Sequence, residues 1–185
     1  MRGRQMPTRT SGPTPRRRSA TDLGLPVSVG RTVDLPRAPT DREWEVLVAE
    51  LRETFGARGR VGSRGDVREW TNGNLHAYVE PTPTGHRLRL GTTKGDGAAL
   101  NRVGIAGVVA ALVWLMVLFV AGGLPEGVFL PLVFFVMGGG ALAFNALRLP
   151  PWALEREAQM ARVAARAQAL LGAAPEPEEA ADASR

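Results

Sequence analysis

The chain has no cysteine, so it can form no disulfide and offers no thiolate for catalysis or metal binding. A lack of disulfides also fits a cytoplasmic setting. Lysine occurs once, at Lys94, although Lys and Arg together number 23, so arginine carries the net charge of +5. Histidine occurs only at His76 and His86, and no carboxylate pattern beside them resembles a metal motif. The first twenty residues hold six arginines and no acid, but no apolar run follows them, so no cleavable signal peptide is expected. The most informative absence is that of charge from two long stretches. Residues 103–121 read VGIAGVVAALVWLMVLFVA, and 127–147 read GVFLPLVFFVMGGGALAFNAL.

At 1.5 Å per residue, each stretch is long enough to cross a hydrocarbon layer of roughly 30 Å as a helix. A short turn containing Pro125 and Glu126 separates them. The remaining foldable chain is too small to enclose two all-apolar helices in a soluble core. The expectation is a transmembrane hairpin at 103–149, with 103–121 acting as an internal signal anchor. Arg87, Arg89, Lys94 and Arg102 precede it, and Arg148, Arg156, Arg162 and Arg166 follow it, while the turn has no basic residue. The positive-inside rule then places both termini in the cytoplasm and the chain in a bacterial inner membrane. Gly104, Gly107 and Gly138-Gly139-Gly140 would let helices approach closely, chiefly the two spans of one chain. Asn145, the strongly polar residue within a span, could join helices or line a polar site, and its place near the cytoplasmic end of the span favours a capping or interfacial role.

Outside the hairpin the pattern is that of a small α+β domain at 23–93. Residues 1–22 form a basic arm too polar to offset the cost of ordering and are expected to be disordered. Leu25 to Leu35 alternates as a strand, with Arg31 the one misfit on its apolar face. Thr40 and Glu43 form a capping box, which opens a helix bearing Trp44, Leu47, Val48, Leu51 and Phe55 along one stripe. Gly56 is its expected stop. Short strands follow, joined by turns at 63–66, at Asn72-Gly73 in type I′ geometry, and over a longer loop at 81–85. The single helix should cover one face of this meander. Residues 94–102 read as a flexible linker. Pro150-Pro151 should break the second span at the membrane surface. Residues 150–173 read as an amphipathic helix, with lipid-surface contact favoured over docking to the sheet or to a second copy. Residues 174–185 form an acidic tail expected to be disordered.

Little in this pattern suggests catalysis. Ser63, Glu69 and Thr71 form no nucleophile–base arrangement. Arg64-Gly65-Asp66 reads as a β-turn, and Gly91 to Gly97 lacks the Walker pattern around Lys94. No cofactor or metal is expected. Arg68, Trp70, Tyr78 and Arg87 are the candidate partner surface, because alternation would let them share one sheet face; ordinary cross-strand packing is the simpler explanation.

The segments VGRTVDLP at 29–36, DREWE at 41–45, LRETF at 51–55, WTNGNL at 70–75 and EPTPTGHRLRL at 80–90 carry a resemblance. With them the chain resembles uncharacterised bacterial membrane proteins that pair a small cytoplasmic α+β domain with two transmembrane helices. The resemblance implies architecture and no activity. The order of strand, helix and meander is also similar to part of a helix-grip lipid-binding domain. The expectation is therefore a non-enzymatic scaffold or regulator that presents a partner-binding domain. Its partners would be the lipid bilayer and a protein, with a homo-oligomer open and no nucleic acid. The alternative is a membrane-tethered binder of a lipid or other apolar ligand. A cavity beneath the Trp44-to-Phe55 stripe would favour the binder, and a filled core the scaffold.

Overall fold

A computed structural model describes residues 16–122 and 127–172. Six strands form one antiparallel sheet: β1 (Arg16–Asp22), β2 (Leu25–Leu35), β3 (Arg60–Arg64), β4 (Val67–Asn72), β5 (Leu75–Thr82) and β6 (Gly85–Thr93). Their order across the sheet is β1-β2-β6-β5-β4-β3. Helix α1 (Asp41–Phe55) crosses from β2 to β3, and α2 (Gly95–Ala121) and α3 (Phe129–Gly172) follow the sheet.

Several local expectations needed correcting. Arg16–Asp22, assigned to a disordered arm, pairs with β2 as an edge strand. An edge strand buries little and needs no apolar alternation, so RRRSATD gave no signal; residues 1–15 lie outside the described residues. The β1–β2 loop is Leu23-Gly24, both with positive φ, as a type I′ turn requires. At the β4–β5 turn the loop residues are Gly73-Asn74 rather than Asn72-Gly73. Asn72 pairs with Leu75, and positive φ falls on Gly73 but not Asn74, the pattern of a type II′ turn. The loop expected at 81–85 shortens to Pro83-Thr84, because Thr82 pairs with Gly85.

Helix α1 forms as its sequence directs. Thr40 Oγ1 accepts from the Glu43 amide at 3.2 Å, and Glu43 Oε2 accepts from the Thr40 amide at 2.8 Å. Gly56 closes the helix in the left-handed region. Trp44, Leu47, Val48 and Leu51 are buried, while Phe55 is only partly buried and stacks on Trp70 with ring centroids 6.2 Å apart. Arg37 donates twice to the Glu43 carboxylate, at 2.6 and 2.7 Å. That pairing, aided by the Thr40 amide and opposed by burial, pulls the Glu43 pKa from 4.5 to about 2. A lowered folded-state pKa adds stability above the unfolded value, which is lost as pH falls through the folded one. Unfolding free energy should therefore drop between about pH 4.5 and 2, and Glu43→Gln should flatten the curve in that window. Identical slopes for the two proteins in acid titrations would show that the pair is not formed.

The C-terminal half of α3 does not lie on a lipid surface as expected. Ala153, Met160, Val163, Ala164, Ala167 and Leu171 join the core with Val29, Val33 and Leu35 of β2. Six strands spaced about 4.8 Å apart span roughly 24 Å, whereas one helix is about 10 Å wide. Helix α1 alone cannot cover that face, so a second helix is required. The alanines that make a shallow membrane face also let this helix sit close to the sheet. The expected break at Pro150-Pro151 is also absent, and α3 runs through both prolines. The missing amides cost about 3 kcal/mol or more at each interior position. Anchors on both sides oppose that cost: Asn145 bonds to α2, and Leu149, Ala153 and Met160 are buried.

The linker expected at 94–102 is likewise absent. Strand β6 runs to Thr93 and α2 begins at Gly95, with the Lys94 amide bonded to Val27 O at 2.8 Å. A Cβ on Gly97 would stand 3.2 Å from Leu149 Cδ2, so the joint is packed. Beyond it α2 and α3 run antiparallel as two helices long and apolar enough to cross a membrane. Their large apolar side chains are mostly exposed, among them Phe119, Val120, Phe129 and Met137. The helices meet at glycines: a Cβ on Gly138 would stand 2.7 Å from Gly104 O and 2.8 Å from Val108 N. Gly104 and Gly107 lie in the same contact, whereas Gly139 and Gly140 face open space.

Candidate interaction surface

The four residues expected to share a face are divided between two. Trp70 faces the helices and is fully buried, because its cross-strand partner Ala77 belongs to the core. Arg68 points to the same side, where its guanidinium pairs with Asp41 Oδ1 at 2.7 Å and ties β4 to the start of α1. Tyr78 and Arg87 point to the opposite, helix-free face. There Arg87 Nε donates to Asp34 Oδ1 of the neighbouring strand at 2.7 Å. Sequence alternation marks parity within a strand, but the offset between strands decides which parities coincide.

The helix-free face is polar and shaped by glycine. Gly30 and Gly91 are directly paired, so two adjacent strands carry no side chain at one row. The shallow trough they leave measures about 390 Å³, with His76, Tyr78 and Arg89 on one flank and Ala20, Ser28 and Thr32 on the other. His76 and Tyr78 stack with an interplanar angle of 10°, and the Arg89 guanidinium lies 5.2 Å from the Tyr78 ring centroid. Arg89 is also paired with Glu80 at 3.0 Å. Burial and the neighbouring Glu69 raise the Tyr78 pKa, so its hydroxyl stays protonated as a hydrogen-bonding group. The trough presents planar groups and donors, with the Arg89 guanidinium already paired, which suits hydrogen bonding and stacking.

Close by, at the end of the sheet where α2 leaves β6, a polar chain joins sheet and helices. Asn145 Nδ2 donates to Gly97 O at 2.7 Å and to Asn101 Oδ1 at 2.8 Å. Asn101 Nδ2 in turn donates to Asp22 Oδ2 at 2.9 Å. Both asparagines are essentially inaccessible to solvent. Asn145 therefore joins the helices, where its position had favoured a capping or interfacial role. Asn101 and Asp22 were not foreseen, since they fell in the supposed linker and arm. The one legible signal was an asparagine at the end of each apolar run. Nearby, Arg148 pairs with Asp96 at 2.7 Å, and Lys94 Nζ lies 5.7 Å from the Trp152 ring centroid.

His76 faces the trough, while His86 shares the parity of buried Leu88 and Leu90, so the two histidines point to opposite sides. Among the described residues no three His, Cys, Asp or Glu side chains cluster closely enough to hold a metal ion. Ser63, opposite Arg68, lies on the face away from Glu69 and Thr71. Arg64-Gly65-Asp66 is the β3–β4 turn, with Gly65 at φ +59. Comparison with protein-family models, curated proteins and solved structures finds no match for this chain.

Proposed function

We propose that the chain is a two-span membrane protein that acts as a scaffold or regulator, presenting the open sheet face of a cytoplasmic domain to a protein partner. The observation that carries this reading is the filled core. Leu47, Leu51, Trp70, Leu88, Met160 and Val163, each at most 1% exposed, occupy the space between helices and sheet where an apolar ligand would sit. That favours the scaffold over the tethered lipid binder. The membrane part rests on α2 and the first half of α3, most of whose large apolar side chains are exposed among the described residues. The basic residues at the sheet end of both helices support cytoplasmic termini.

Topology provides the first test. Reporter fusions at the two termini should both report cytoplasm, and an epitope beside Glu126 should be accessible from outside. Termini on opposite sides would sink the hairpin. The partner surface is tested by placing a photo-crosslinking residue at Thr32 or at Arg89 in cells. Adducts should form there and be absent from Val46 on the exposed side of α1. Equal yields at all three positions would remove the trough from the reading.

A further inference from the structure

Outside the two apolar stretches, the large apolar side chains exposed among the described residues are Leu23, Val46, Val61 and Leu154. Leu23 differs from the others in its backbone. Its φ is +52, the one positive value on a described residue other than glycine. A Cβ in that region crowds the following carbonyl, and Asn, Asp or Gly fits the turn better than leucine. The side chain is 58% exposed, so burial within the chain does little to offset the strain.

The height of this loop gives the strain a context. Strand β6 ends at Thr93, opposite Ser28 of β2. Beyond that row β2 runs back through Val27 and Pro26 to Leu25, with β1 alongside, so the Leu23-Gly24 loop overhangs the end of β6 by roughly 10 Å. Helix α2 rises from Lys94 over the same distance, roughly 10 Å, to reach Asn101. The two meet there, where Asn101 bonds to the Asp22 carboxylate. Val103, the exposed first residue of the apolar run, lies about 3 Å further along the axis. Leu23 thus stands where the helices become apolar. The Gly73-Asn74 loop at the same end of the sheet does not reach that level, since Asn74 O bonds to the Thr93 amide.

We propose that the β1–β2 loop is a bilayer contact, with Leu23 entering the boundary between headgroups and acyl chains of the membrane that α2 and α3 cross. The proposal rests on the membrane reading above. A contact displaced from the helix pair holds the sheet in one orientation to the bilayer, which two helices side by side do not fix alone. An interfacial leucine gains from acyl contact, and the polar strands behind it stay among headgroups and water.

Because the chain has no cysteine, a single thiol can be placed at will. The full chain carrying Leu23→Cys is labelled with an environment-sensitive fluorophore and reconstituted in vesicles of phosphatidylcholine and phosphatidylglycerol. Val61→Cys serves as the aqueous reference and Val117→Cys as the reference within the span. Quenching by iodide on both sides of the bilayer is compared with quenching by lipid bearing a nitroxide high on its acyl chain. The label at 23 should emit to the blue of that at 61 and be quenched at least twofold more by the nitroxide lipid than by iodide. A label at 23 that behaves like 61, while 117 is quenched by lipid, overturns the proposal and leaves the membrane reading standing. Iodide access at 117 overturns both. Shielding of 23 from both quenchers reports a protein contact and also overturns the proposal. Leu25→Cys, across the loop, repeats the comparison should a thiol at 23 disturb the turn.

Discussion

Replacing Trp70 with alanine should destabilise the α+β domain by about 3–5 kcal/mol, the usual cost of truncating a buried aromatic side chain. Trp70 is fully buried between α1 and the sheet, stacks with Phe55, and lies against the Gly59 backbone. A Cβ on Gly59 would stand 2.3 Å from the indole, at a φ of +58. Gly59→Ala should therefore be costly in the native chain and less so beside Trp70→Ala, where only the backbone strain remains. Such neighbours are expected to be non-additive. The measurement is denaturant unfolding of the full chain in detergent, followed by far-ultraviolet circular dichroism. A midpoint that Trp70→Ala leaves unchanged would place the indole outside the core, and additive costs would show that it does not touch Gly59.

Gly138→Ile should separate the two apolar helices. The Cβ would meet Gly104 O at 2.7 Å, Val108 N at 2.8 Å and Gly107 C at 3.1 Å, all backbone atoms that no rotamer change can move. Overpacking of this kind costs about 1–3 kcal/mol and sometimes more. Spreading the helices also strains the Asn145 bonds to Gly97 and Asn101, and a buried amide left without a partner adds to the loss. Gly140→Ala is the matched control, since nothing lies within 4 Å of its Cβ position and alanine favours the helix. Thermal unfolding in detergent should show a clear loss for Gly138→Ile and none for Gly140→Ala. Equal behaviour of the two variants would mean that the helices do not cross at Gly138.

The contrast between the two glycines shows what sequence can and cannot resolve. The run at 138–140 marked a surface of close approach but not which glycine makes it, because that depends on the rotation of one helix against another. Helix α1 was legible to its caps: Thr40, Glu43 and Gly56 act within one or two turns, and the stripe from Trp44 to Leu51 follows from helical period alone. The β2 strand and the two apolar helices were legible for the same reason, since alternation and unbroken hydrophobicity are written along the chain. The candidate surface was not. Trp70 and Tyr78 each sit on a readable strand, but their faces are set by the pairing of Trp70 with Ala77 and of Tyr78 with Glu69, which no single strand contains.

The sequence by itself determined the elements whose causes are local: the capped helix, the alternating strands and two helices apolar enough for a membrane. Tertiary structure decided whatever depended on distant partners. The polar segment Arg16–Asp22 became a strand because β2 supplied its hydrogen bonds. Helix α3 continued through Pro150-Pro151 because contacts on both sides outweighed the two missing amides. Its alanine-rich end settled on the sheet because six strands are wider than one helix can cover. Asn101 and Asp22, far apart in sequence, came together because strand and helix climb to the same height from a common joint. Each of these outcomes turns on the sum of contacts between separate segments, a quantity that local pattern does not contain.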